Sequence, residues 1–155
     1  MSKRAAVLIT AAVGTVAFGL SRLIWPDPPG AAVPPASLVP FLMVPALFES
    51  LALGAGVVFL VAGGRYLARV GQPQPLVWAT YLSVAWSLVS WWPHSNLHRV
   101  STSLASLAAI EWTFHVTLVV AACVIAVFAV RVLHAAADHQ PSPASGAPAS
   151  AGGRP

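Results

Sequence analysis

The sequence predicts an all-α integral membrane protein, four transmembrane helices packed as a bundle with both termini in the cytoplasm. Three observations carry that expectation. The chain of 155 residues is 57% hydrophobic. Only 8% of it is Asp, Glu, Lys or Arg, about a third of the charge that solvates an ordinary soluble domain. Its apolar residues also fall into four stretches, 5–25, 38–63, 76–92 and 104–133. A helix needs about 20 residues to cross the hydrocarbon core, and an isolated span in lipid must satisfy its own backbone hydrogen bonds, which a helix does.

The first span follows Lys3 and Arg4. Its apolar stretch is long for a signal peptide and no clear Ala-x-Ala site follows it, so an uncleaved helix is expected. Pro26-Asp27-Pro28-Pro29-Gly30 and Pro34-Pro35 end it and form a stiff connection to the second span. Gly71-Gln72-Pro73-Gln74-Pro75 does the same before the third, which is short; the fourth is long. Residues 1–134 thus form one transmembrane domain. Residues 135–155 are dominated by Ala, Pro, Ser and Gly and are expected to be a disordered tail.

Orientation follows from the basic residues. Lys3, Arg4, Arg65, Arg69, Arg131 and Arg154 fall on one side of a four-span arrangement, Arg22 and Arg99 on the other. The richer side is expected to be cytoplasmic, with the protein in the plasma membrane and the loop 93–103 facing outward. Trp25, Trp91 and Trp92 then gather at the outer boundary, where indole rings prefer the headgroup region. The net charge of +4 is scattered and forms no stripe for nucleic acid. Cys123 is the single cysteine, so no disulfide or Cys-x-x-Cys pair exists within the chain, and it reads as a small buried hydrophobe. Two methionines are too few for a thioether-rich cuprous site.

Against this apolar background, Glu49, Glu111 and His115 stand out. A charge at the centre of a membrane helix costs about 2.5–3.5 kcal/mol on insertion scales, so such residues generally mark function. Glu111 and His115 are four apart and share a helix face. At about 1.5 Å rise per residue, Glu111 lies roughly 10 Å and His115 roughly 16 Å below the outer boundary, with Glu49 at about the depth of His115. Glu49 and His115 meet if the second and fourth spans are neighbours. On the second span Glu49, Ala52, Gly56 and Gly63 share a side, the small residues allowing close helix approach. Pro45 is expected to free the carbonyl of Phe41 one turn before Glu49. Thr80, Ser83, Ser87 and Ser90 make a hydroxyl stripe on the third span, the usual signature of close helix packing.

The outer loop reads Pro93-His94-Ser95-Asn96-Leu97-His98-Arg99. Pro93 suits the first turn of a short helix over 93–99, on which His94 and His98 share a face at i, i+4. Two histidines so spaced can chelate one ion. Arg99 is expected to reach lipid phosphate. His94, His98, Glu111, His115 and Glu49 together descend from the interface to the midplane. This nitrogen and oxygen set fits zinc, iron or manganese. Haem is disfavoured, because a bis-histidine pair would have to bridge most of one leaflet.

Three functional readings follow. The first is a metal site open to the outer face, with His94, His98 and His115 as ligands and Glu49 or Glu111 as ligand or general base; as an enzyme it would act on a lipidic or amphipathic substrate reached from the bilayer. The second is a metal-free proton relay or transport subunit using Glu49, Glu111 and His115, which with only four helices calls for a homo-oligomer or a membrane partner. The third is a helical interaction subunit of a larger membrane complex.

Overall fold

The computed structural model describes residues 1–138; the expected tail beyond Asp138, with Arg154, lies outside the described residues. Among the described residues every regular element is helical. Helix α1 spans Lys3–Ile24, α2 Val39–Leu67, α3 Gln74–Val89 and α4 Trp91–Val100. The last helix, α5, spans Leu104–Asp138 and contains a π-helical segment, Glu111–Val116, between two α-helical stretches.

Local chemistry explains the boundaries. Ser2 caps α1 by accepting a hydrogen bond from the Ala5 N–H at 3.2 Å. Ser103 caps α5 in the same way through Ser106 N–H. Pro40 and Pro75 occupy first turns, where a missing N–H costs nothing. Gly71 adopts φ +72°, a left-handed conformation that stops the short 3₁₀ extension of α2 at Val70. Pro45 sits inside α2 without ending it. Residues 135–138, counted with the tail by composition, continue the last helix.

Among the described residues three helices are long and apolar enough to cross a membrane: α1, α2 with its 3₁₀ extension, and α5. The expected third span differs. Helix α3 has 16 residues, about 24 Å, against a hydrocarbon core of about 30 Å. The chain redirects at Ser90, and Trp91 and Trp92, expected at the end of the span, instead open α4.

The packing order is linear. Helix α2 lies against α1 on one side and α3 on another, α3 also packs against α5, and α4 folds over onto α2. No principal interface joins α2 to α5. Small residues set the close approaches. A side chain at Gly54 would stand 2.3 Å from the Thr10 carbonyl oxygen of α1, and one at Gly56 2.5 Å from Val89 of α3. Thr80 is 2% exposed and Ser90 fully buried, as expected of hydroxyls at packed membrane interfaces. The Tyr81 hydroxyl ties α3 to α2 by donating to the Leu60 carbonyl at 2.6 Å.

The ends of the bundle are chemically distinct. Met1 shares a small cavity of about 280 Å³ with Arg65 and Arg69, so the start of α1 adjoins the end of α2. At the opposite end Trp25 and Trp92 meet edge to face at 4.8 Å, and the Trp92 indole donates to Ser21 Oγ at 2.9 Å.

Candidate functional site

Helix α4 and the π-helical segment of α5 bring together four of the five residues singled out by sequence. Within α4, His94 and His98 are one turn apart, with their Nε2 atoms 3.0 Å from each other. His98 Nε2 is also 3.5 Å from Glu111 Oε1. Glu111 in turn pairs with His115 through Oε2 and Nδ1. Ring centroids of His94 and His115 are 4.8 Å apart, and those of His98 and His115 6.3 Å. A continuous chain of polar contacts therefore runs from His94 through His98 and Glu111 to His115. The Glu111 and His115 side chains are about half exposed, at 52% and 49%, so the group lies on the flank of the bundle rather than inside it.

The π-helical segment holds two members of this group, an irregularity that often coincides with functional sites. Widening the helix displaces backbone carbonyls from their usual partners, and Thr117 takes up one of them: its hydroxyl donates to the Thr113 carbonyl, with the Phe114 carbonyl 3.1 Å away. The Trp86 indole N–H of α3 donates to Thr117 Oγ1 at 2.9 Å. The Trp86 ring stacks on the buried Phe114 ring at 5.8 Å, and Phe114 lies 5.0 Å from the His94 ring. An aromatic wall from α3 thus backs the histidines. Neither the π-helical segment nor this wall was anticipated; the Trp86–Thr117 link joins residues 31 apart and leaves no local pattern. Replacing Trp86 with Phe keeps the ring and removes the N–H. It is expected to lower stability by about 1 kcal/mol, the worth of one such hydrogen bond, measured as a fall in thermal midpoint in detergent.

His94 is held below the ordinary imidazole range, first by burial, then by positive charge on His98 and His115, with Glu111 acting in the opposite sense. Its neutral form is therefore favoured in the folded protein. An unfolded imidazole takes up its proton near pH 6.5, where folded His94 does not yet do so. The His94 contribution is thus fully present above about pH 6.5 and declines as pH falls below that value. In chelator-treated protein the thermal midpoint is expected to drop between pH 7.5 and 5, and to drop less in His94→Gln.

Glu49 stands apart from this group. It lies on α2, which packs on α4 rather than on α5, and the Ser95 hydroxyl donates to its carboxylate. Ser95 and Asn96 project from a different face of α4 from that of His94 and His98. They line a cavity of about 1010 Å³ shared with Glu49, Trp92 and Arg99. The condition that would have joined Glu49 to His115, adjacency of the second and last spans, is not met, because α3 occupies the position between them.

Arg99 also differs from expectation. Rather than reaching toward lipid, it pairs with Asp27 and donates to the Trp25 carbonyl at 2.7 Å and to Asn96 Oδ1 at 3.2 Å. Arg22 pairs with the same Asp27. The α1–α2 connection is thereby tied to α4.

Among the described residues no group of three or more His, Cys, Asp or Glu is arranged to hold a metal ion; the donors are turned toward one another in pairs. Comparison of the chain with protein-family models, curated proteins and solved structures gives no match.

Proposed function

We propose that this is a multi-pass membrane protein that binds a divalent transition metal, zinc, iron or manganese, through His94, His98, His115 and Glu111 at its outer face. The observation that carries the reading is that His98 Nε2 lies against both His94 of its own helix and Glu111 of the next, and Glu111 is itself paired with His115. The separations of 3.0 Å and 3.5 Å from that atom bracket the edge of a tetrahedral site with metal–ligand bonds of about 2.0–2.1 Å. The two pairings His94–His98 and Glu111–His115 each hold a proton between donors, and an ion would replace those protons. With ring centroids no more than 6.3 Å apart, rotation of the side chains serves to aim them at a common ion. Burial of His94 and its depressed proton affinity keep one ligand neutral, the form that binds metal.

In this reading α3 is the fourth crossing. It is flanked by α2 and α5, and α4 completes the passage to the outer interface. Both termini then share a side with Lys3, Arg4, Arg65, Arg69 and Arg131, which makes that side cytoplasmic and the membrane the plasma membrane. Glu111 is half exposed, and the carboxylate oxygen it does not give to the ion would accept a proton from a water or substrate held there, while the flank position gives a lipidic or amphipathic substrate access from the bilayer.

The test is elemental analysis of the full chain purified in detergent after growth with each metal. About one equivalent of a single transition metal per chain is expected; its absence under all supplements would overturn the reading. A second reading, a metal-free proton relay, is favoured by the unbroken chain His94–His98–Glu111–His115. It predicts proton flux in liposomes that persists in chelator and is lost in Glu111→Gln.

A further inference from the structure

One cavity, beside Glu49, belongs to none of the metal chemistry above. Its volume of about 1010 Å³ is at the upper end of the range of small-molecule sites. Phe18 of α1, Leu42 and Met43 of α2 and Val33 of the connecting loop give it apolar walls, and Glu49, Ser95 and Asn96 give it a polar end. It lies on another face of α4 from the histidines, so it is not an approach to them.

The charges in its lining are unequally engaged. Arg22 and Arg99 both pair with Asp27, and Arg99 is further committed to the Trp25 carbonyl and Asn96. Glu49 has no ion-pair partner among the described residues and only the Ser95 hydroxyl donating to it. A carboxylate offers about four acceptor positions, so most of its capacity is open toward the cavity. An unpaired carboxylate inside an apolar span is costly, and a cation that fits beside it removes that cost. An anion would meet repulsion from Glu49 and find the guanidiniums occupied. A bare metal ion would find one unpaired carboxylate and no imidazole.

We infer that this cavity is a binding site for a protonated amine carried on an apolar body, its ammonium on Glu49 and Ser95 and its chain along Phe18, Leu42 and Met43. The ammonium donates hydrogen bonds to the carboxylate as a charge-assisted pair. The site stands independently of metal binding by the histidines.

The measurement is equilibrium binding of radiolabelled dodecylamine to the full chain in phosphatidylcholine nanodiscs, with binding to empty nanodiscs subtracted and chelator present throughout. One saturable equivalent is expected, displaced by unlabelled dodecylamine and not by dodecanol or dodecanoate. In Glu49→Gln the affinity is expected to fall at least tenfold, roughly the worth of a charge-assisted bond. Met43→Trp, which fills the apolar part and leaves the carboxylate in place, is expected to abolish saturable binding and serves if Glu49→Gln does not fold. Absence of saturable binding by the wild-type chain, equal displacement by dodecanol, or unchanged affinity in both variants would each overturn the proposal.

Discussion

Under the metal-binding reading proposed above, replacing His98 with alanine is expected to strip the ion from the protein. Of the four side chains in the group, His98 is the one whose Nε2 contacts two others, His94 at 3.0 Å and Glu111 at 3.5 Å. Its removal leaves His94 on one helix and the Glu111–His115 pair on another, joined only through the edge-to-face contact of the His94 and His115 rings. Loss of an outer-shell partner alone costs about tenfold to a hundredfold in metal affinity, and loss of this central donor is expected to cost more, roughly a hundredfold or beyond. Metal content after dialysis would fall from about one equivalent to near zero. His115→Ala, at the end of the chain of contacts, is expected to retain weak binding through His94, His98 and Glu111. Retention of a full equivalent by both variants would show that the ion, if bound, sits elsewhere. Because His98 is partly exposed and its ring fills no core position, folding of the variant is expected to survive, checked by gel filtration.

The second large effect concerns architecture. Gly54→Leu is expected to break the α1–α2 interface. A Cβ at this position stands 2.3 Å from the Thr10 carbonyl oxygen and 3.1 Å from Thr10 Cα, which are backbone atoms and cannot swing aside. In lipid no hydrophobic force holds helices together, so van der Waals contact and geometry carry the association. Overpacking in a filled core costs about 1–3 kcal/mol, and a clash with backbone lies at or above the top of that range. Gly19 is the control. It belongs to the same helix pair's α1, but a Cβ there meets nothing within 4 Å. Gly19→Ala is expected to be neutral or to stabilise by up to about 1 kcal/mol through helix propensity. Thermal unfolding of the two variants in detergent separates the cases, and equal midpoints would show that the close approach at Gly54 does not hold the pair.

Much of the site was legible because its residue types conflict with their surroundings. Glu111 and His115 are conspicuous in an apolar span, and their i, i+4 spacing alone predicts the contact they make. His94 and His98 are likewise four apart beyond a proline, and the short helix they need is present as Trp91–Val100. The meeting of these two pairs required the chain to double back between Ser90 and Leu104, which spacing does not encode. The π-helical segment was equally hidden. It depends on Thr117 and on Trp86 from another helix, and no periodicity announces it. Gly54 was passed over for Gly56 and Gly63, since composition shows that a small residue is tolerated but not which neighbour requires it.

Glu49 shows the limit most plainly. Depth along a helix follows from residue count, and depth placed it level with His115. Azimuth and neighbours follow from packing, and packing put α3 between them. Asp27 shows the same limit in the connecting loop, where it draws both Arg22 and Arg99 and ties that loop to α4.

What the sequence by itself determined is the class of solvent and the inventory of chemistry: helices long enough for a bilayer, and few polar side chains within them. Those properties are sums over local residues, because hydropathy and helix length are one-dimensional. Only the tertiary structure decided how that inventory divides, with Glu111 and His115 of α5 brought against the His94 and His98 face of α4 and Glu49 left facing a separate cavity on another face. The division depends on which helices touch. In a bundle that depends on backbone approach distances at residues such as Gly54 and Gly56, contacts between segments far apart in the chain.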